Sequence, residues 1–314
     1  LTEFARERLL DFVQDPEKGL GKERDLFRAS GQDLSGHRVY ALMKLAEYPE
    51  MHARIRPYFQ EQRIINELLE NLHYSQRPEK QARLLLTLVD PPNKTVANHV
   101  LGQILAYIRD VQDEGRRRDH ALDVTHYTSL LSRHLVADTA TEGRLLHIIL
   151  ALNDPRVSSR VDWARLNPEA RIYRGRNRVS DTREMFIQKK RTPAMHFQIY
   201  LIKLLGRFPA LSQHTMRVLA KQLKPRILVT QRTNALGTVW SDPAKEATIL
   251  RVLQSHGATT DPIVRKLIAE AGDDPDSHVR ALAERLHLEI PTSCPAAVAD
   301  LARERPSEDP EARE

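Results

Sequence analysis

From end to end this sequence is cut into short amphipathic segments, apolar at every third or fourth position and stopped by Pro or Asp-Pro. Residues at that spacing share one face of an α-helix, whereas a half-buried strand needs strict alternation. Phe4, Leu9, Leu10 and Val13 form the first such face, ending before Asp15-Pro16. Ser35 stands as an N-cap for a helix with Val39, Leu42, Leu45 and Ala46 that stops before Pro49. A longer helix follows Pro57, with Ile64, Ile65, Leu68, Leu69 and Leu72 on its face. Pro78 begins another, carrying Ala82, Leu85, Leu86 and Val89, which Asp90-Pro91-Pro92 breaks. Thr95 opens the next, with Val96, Val100, Ile104, Tyr107 and Ile108. Further helices are expected at 124–136, 141–152, 156–166, 244–256, 262–271 and 276–288. Pro193 sits in the first turn of a crowded apolar segment with Met195, Ile199, Ile202, Leu204 and Leu205, whose composition implies burial. With only 12 Gly and 5% aromatic residues, neither a β-rich fold nor a Gly-rich phosphate loop is favoured. The fold class expected is all-α.

Three stretches interrupt the pattern. Residues 167–180 have no clean period and read as an irregular basic loop, a length more often functional than structural. Around 225–240, Ile227-Leu228-Val229-Thr230 is β-branched and Asn234 to Gly237 is turn-like, so either a short extended piece or an irregular connector fits. Residues 291–314 carry six acids and three prolines after Thr292, and read as an acidic, weakly packed tail.

Repetition favours an array of helical hairpins over a globular bundle. In Asp273-Asp274-Pro275, followed by Val279-Arg280, Ala283 and Leu286, the chain resembles the second helix of a HEAT repeat. Asp261-Pro262, followed by Val264-Arg265 and Leu267, is a shorter copy, and Asn153-Asp154-Pro155 and Asp90-Pro91 are weaker ones without the Val-Arg pair. The carboxylate accepts from N–H groups opening the next helix and faces the positive end of its dipole. The apolar positions bury against neighbouring hairpins, because one hairpin cannot bury its face alone. The spacing is uneven, 64 residues from Asp90 to Asp154 but 13 from Asp261 to Asp274, so the array is degenerate. The resemblance implies a right-handed α-solenoid, expected as one body over residues 1–290, whose function is to present a surface.

Charge suggests where that surface acts. Residues 1–160 hold 23 basic and 23 acidic side chains, residues 161–232 hold 16 and 4, and residues 233–314 hold 9 and 15. No Asp or Glu occurs among the 57 residues from 185 to 241. Within and before this stretch Arg171, Arg174, Arg176 and Arg178 bracket Tyr173, and Arg183, Lys189, Lys190 and Arg191 follow. These nine are the candidate binding residues, and Arg207, Arg217, Lys221, Lys224, Arg226 and Arg232 extend the stretch. Guanidinium forks match carboxylate and phosphate oxygens alike, and an aromatic among them can stack. Two partners therefore stay open. One is a protein with an acidic surface bound by a non-enzymatic scaffold; the other is nucleic acid. Alkylated-base DNA glycosylases share the HEAT-like fold, but Asp162 and Trp163 are adjacent and would not share a helix face.

Other chemistry finds no support. Phosphate-loop, dinucleotide and hydrolase-elbow motifs are missing, as is His-Glu-x-x-His. His120, His126 and His134 lie at spacings of six and eight, which do not stack on a helix. No cofactor or metal is expected. The single Cys294 permits no internal disulfide and fits a reducing, cytoplasmic setting. No apolar run reaches the ~18–20 residues of a membrane span, and the N-terminus has no signal-like pattern. The chain starts at Leu1 rather than Met, which allows a fragment of a larger protein.

Overall fold

The computed structural model describes residues 1–15, 34–74, 78–113, 122–162, 193–223, 226–229, 236–239, 243–257, 260–273 and 277–288. These residues are predominantly helical, as the periodicity requires, with four short strands. They form two compact units, Leu1–Pro209 and Ala210–Glu314. Among them no helix is long and apolar enough to cross a membrane.

In the first unit, α1 (Glu3–Gln14) is capped by the Thr2 hydroxyl, and α2 (Leu34–Leu45) takes Ser35 into its first turn rather than using it as the cap. After a 3-10 turn at Pro49–Met51 come the single turn α3 (His52–Ile55) and a second 3-10 segment, Arg56–Gln60. Pro57 thus opens a tight turn, and the long helix expected after it begins at α4 (Gln62–Tyr74). Next come α5 (Pro78–Leu88) and α6 (Lys94–Asp113); Asn93 rather than Thr95 caps α6, its Oδ1 accepting from the Val96 N–H at 3.1 Å. Then follow α7 (Thr125–His134), α8 (Thr139–Ala151), the short α9 (Pro155–Ser158) and α10 (Pro193–Leu205). The helix expected at 156–166 stops at α9, because Val161 leaves it for a strand. In that strand β2 (Val161–Asp162) pairs in parallel with β1 (Leu122–Asp123), Leu122 opposite Val161, and both apolar side chains are buried. Eight of the thirteen residues of α10 are buried, in line with its crowded apolar sequence.

The second unit holds α11 (Gln213–Lys221), capped by Ser212, then β3 (Arg226–Val229), β4 (Leu236–Val239), α12 (Pro243–Ser255), α13 (Pro262–Glu270) and α14 (Ser277–Leu288). The β-branched stretch near 227 is an extended piece, antiparallel to β4 with Ile227 opposite Thr238.

Helices pack mainly on two kinds of neighbour. One is the adjacent helix in sequence: α4 on α5, α6 on α7, α11 on α12 and α13 on α14. The other is the second helix along: α4 on α6, α5 on α7, α6 on α8, α8 on α10, α11 on α13 and α12 on α14. The core lies between them. Leu42, Leu45, Phe59, Ile65, Leu68, Leu85, Val100, Ile104, Leu131, Ile149 and Phe197 are each at most 1% exposed, and each fully buried side chain of this size contributes about 1.5–3 kcal/mol.

Polar ties span the second kind of contact. His134 Nε2 on α7 lies 3.0 Å from the Leu85 carbonyl of α5, and Arg144 on α8 donates to Asn98 on α6 at 2.8 Å. Gln198 on α10 donates to the Ile149 carbonyl of α8 at 2.7 Å and to Asn153 at 3.1 Å. Gln213 and Arg217 on α11 donate to Asp261, the cap of α13, at 2.8 and 2.7 Å. These ties join residues 44 to 49 apart in sequence, whereas two others of the same kind, Thr95 on α6 with Gln62 on α4 and Arg251 on α12 with His278 on α14, join residues 33 and 27 apart.

Candidate functional site

The nine residues that the sequence singles out, Arg171, Tyr173, Arg174, Arg176, Arg178, Arg183, Lys189, Lys190 and Arg191, lie outside the described residues. So do Lys224, Arg232, Trp163, Trp240, Cys294 and the tail. The remaining members of the acid-free stretch have different fates.

Arg217 is absorbed by the fold. Its Nε donates to Asp261 Oδ2 at 2.7 Å, with the carboxylate side chain 2% exposed. Burial alone would raise the Asp261 pKa, but Arg217, the Ile263 and Val264 N–H groups and Gln213 outweigh it and hold the carboxyl below its ordinary value. Asp261 is thus the helix cap that its Asp-Pro motif predicts, and a neutralising partner for a cation in the acid-free stretch.

Arg207 takes another course. It is exposed beyond the end of α10, its Nη1 3.3 Å from both the carbonyl and the hydroxyl oxygen of Ser132 near the end of α7. There Thr128, Ser129, Ser132, Arg133 and Tyr200 line an open, polar recess of about 550 Å³. Tyr200 donates its hydroxyl to the Thr128 carbonyl. Burial raises its pKa, with Ser132 and Arg207 pulling the other way, so it remains a neutral donor at physiological pH. Arg133 is exposed on the last turn of α7 and forms no ion pair among the described residues. The recess therefore presents the exposed Arg133 guanidinium beside hydroxyl-bearing side chains, with Arg207 reaching its Ser132, a set that accepts carboxylate or phosphate oxygens. Lys203 and Lys221 are exposed too, each on its own unit.

A second concavity lies in the first unit between α2 and α5, with a volume of about 340 Å³. Its more buried lining is apolar: Met43, Ala46 and Leu84. Its more exposed lining is charged. Glu47 Oε1 receives Lys80 Nζ at 3.3 Å and Lys44 Nζ at 3.4 Å, and these ammonium groups hold the carboxyl below its ordinary pKa. Arg83 adds a third cation, and Tyr40, 61% exposed, has the Lys44 ammonium 5.7 Å from its ring centre. Sequence reading passed over this groove because Tyr40 and Arg83 stand 43 positions apart in two unrelated segments.

The remaining candidates are structural in their surroundings. Asp162 is exposed on β2, its carbonyl accepting the Val124 N–H at 3.0 Å. His134 is fully buried; burial lowers its pKa, opposed by its bond to the Leu85 carbonyl and assisted by Arg133. Among the described residues no three His, Cys, Asp or Glu side chains converge in a way that could hold a metal ion. No protein family, curated protein or solved structure matches this chain.

Proposed function

We propose that this chain is a non-enzymatic protein-interaction scaffold, a right-handed α-solenoid of degenerate HEAT-like hairpins whose basic region at 171–232 engages a partner with an acidic surface. The observation that carries this reading is the packing order. Most helices rest on a sequence neighbour, on the second helix along, or on both, and the polar ties of His134, Arg144, Gln198 and Asp261 join such second neighbours 44 to 49 residues apart, beside shorter ones of 33 and 27. Hairpins stacked one on the next have this pattern, with HEAT and armadillo repeats of about 40–47 residues. Stacks of this kind work through extended surfaces. Arg133, exposed at the recess, and Arg207, bonded to Ser132 of its lining, supply a cationic point on that surface. The lone Cys294 fits action in the cytoplasm.

Binding of fluorescent poly-glutamate and of a duplex DNA of similar charge, each titrated over a range of salt, tests the partner class. The scaffold reading expects the polypeptide to bind, and Arg133→Glu/Arg207→Glu to weaken it. Tighter binding of the duplex, falling with salt by roughly one power per phosphate contact, would replace it with the nucleic-acid reading.

A further inference from the structure

The groove between α2 and α5 has a composition that the proposed function does not use. Its apolar lining, Met43, Ala46 and Leu84, is half-buried to buried yet still faces the concavity. Around it stand Lys44, Lys80 and Arg83 against the single carboxylate of Glu47. Both lysines converge on one oxygen of Glu47, and Arg83 lines the same groove without pairing to it. Glu79, one turn before Arg83 on α5, does not line the groove and forms no ion pair with Arg83. Lys44 and Lys80 keep 38% and 48% of their side-chain surface exposed, so an incoming carboxylate reaches them with little desolvation. Tyr40 offers a flat, exposed amphipathic face next to Lys44, the residue type that anchors protein interfaces at low entropic cost.

We propose that this groove is a docking site for a short acidic peptide segment of a partner protein, which buries an apolar side chain against Met43 and Leu84 and sets carboxylates on Lys44, Lys80 and Arg83. Charge complementarity selects an acidic occupant, since the groove carries an excess of two positive charges. Size selects a peptide over a folded face: a volume of about 340 Å³ sits low in the ~300–1,000 Å³ range of ligand sites. The apolar lining selects a protein segment over a phosphate backbone, which has no side chain to place there. The site shares with the proposed function only the premise of a protein partner and uses a different surface.

The test pans a display library of random peptides, about twelve residues long, on the immobilised full chain, then measures the enriched peptides by fluorescence anisotropy. The expected peptides combine two or more Asp or Glu with a neighbouring Leu, Phe or Tyr. Lys80→Glu/Arg83→Glu should weaken them about tenfold or more, Tyr40→Ser should weaken them less, and Arg133→Glu/Arg207→Glu should leave them unchanged. An unaltered thermal melt of each variant confirms that folding is intact. The proposal is overturned if no peptide enriches, if the enriched peptides lack acids, or if Lys80→Glu/Arg83→Glu leaves their affinity unchanged. It is equally overturned if alanine in place of the apolar residue binds as well, or if a single-stranded oligonucleotide of equal charge competes as strongly. In either case the groove would be a bare cationic patch.

Discussion

Replacing Asp261 with alanine removes an acceptor on which four donors converge. Oδ1 takes the N–H groups of Ile263 at 2.8 Å and Val264 at 3.2 Å; Oδ2 takes Gln213 Nε2 at 2.8 Å and Arg217 Nε at 2.7 Å. Losing the helix cap costs about 1 kcal/mol. Losing the charge-assisted bonds costs roughly 1.5–3 kcal/mol, less what Arg217, 39% exposed, regains from water. The expected total is about 2–4 kcal/mol, which in local opening of α11 and α13 corresponds to amide exchange about 30- to 700-fold faster. Urea unfolding of the full chain gives the first number, and hydrogen exchange resolved to 213–221 and 262–270 gives the second. Asp261→Asn keeps an acceptor for the helix start and should cost less than half as much. Because the folded pKa lies below the unfolded 3.8, the advantage of the parent over Asp261→Ala should hold from neutral pH to about 3.8 and decline as pH falls further, through the folded value. Asp261→Ala within ~0.5 kcal/mol of the parent, with exchange unchanged in both helices, would refute the reasoning.

Two further outcomes follow from the first unit. Arg38 reaches Glu61 with Nη1 at 2.8 Å and Nη2 at 2.9 Å and the Val13 carbonyl with Nε at 2.9 Å. Arg38→Ala should therefore cost about 1–3 kcal/mol and speed exchange in α1, while Arg38→Lys, lacking the fork, should recover less than half of the loss. Burial holds His134 below its ordinary 6.5, so the unfolded chain takes up its proton first. The parent should lose stability as pH falls from about 6.5, by at most ~1.4 kcal/mol per pH unit, relative to His134→Gln, as urea midpoints at successive pH values would report.

Local signals and the structure agree where one segment settles its own fate. The face Val96, Val100, Ile104 and Ile108 predicts a helix and is buried on α6. Asp261-Pro262 predicts a cap and Pro at N1, and both are there. Propensity was overruled where pairing at a distance decides, as Val161 leaves a helical pattern to meet Leu122; at Ile227 to Val229 the β-branched propensity left an extended piece or a connector open, and pairing with 236–239 makes it a strand. Charge was the least legible. A window count treats Arg217 as an unneutralised cation, yet the acid it meets stands 44 residues on, beyond the end of the acid-free stretch. Lys245 and Glu246 run opposite to expectation for adjacent charged residues, for both are buried. The two concavities are assembled from segments with no common motif, Tyr200 meeting Thr128 and Lys80 meeting Glu47.

The same contrast bears on the proposed array, whose motifs are uneven while packing between first and second neighbours recurs along the chain. Asp-Pro copies recur at intervals of 64 and 13 residues, because a helix start can be capped in several ways: Asn93 caps α6 although Asp90-Pro91 stands just before it, Ser212 serves where no Asp-Pro is present, and Asp138 caps α8 without a proline. A cap is a local device and can change without moving a helix. A bond between stacked helices has no such freedom, since its two ends must remain one layer apart while both hairpins keep their packing. In the proposed stack, the separations of 45 and 49 for Gln198, 46 for Arg144, 49 for His134, and 44 and 48 for Asp261 fall near one repeat length, while Thr95–Gln62 and Arg251–His278 bridge second neighbours at 33 and 27. They use chemically unrelated side chains, so no sequence pattern would connect them. On the proposed reading, selection acts on the packing between partners and leaves the identity of the residues open, which is how a repeat architecture can persist after a repeat sequence fades.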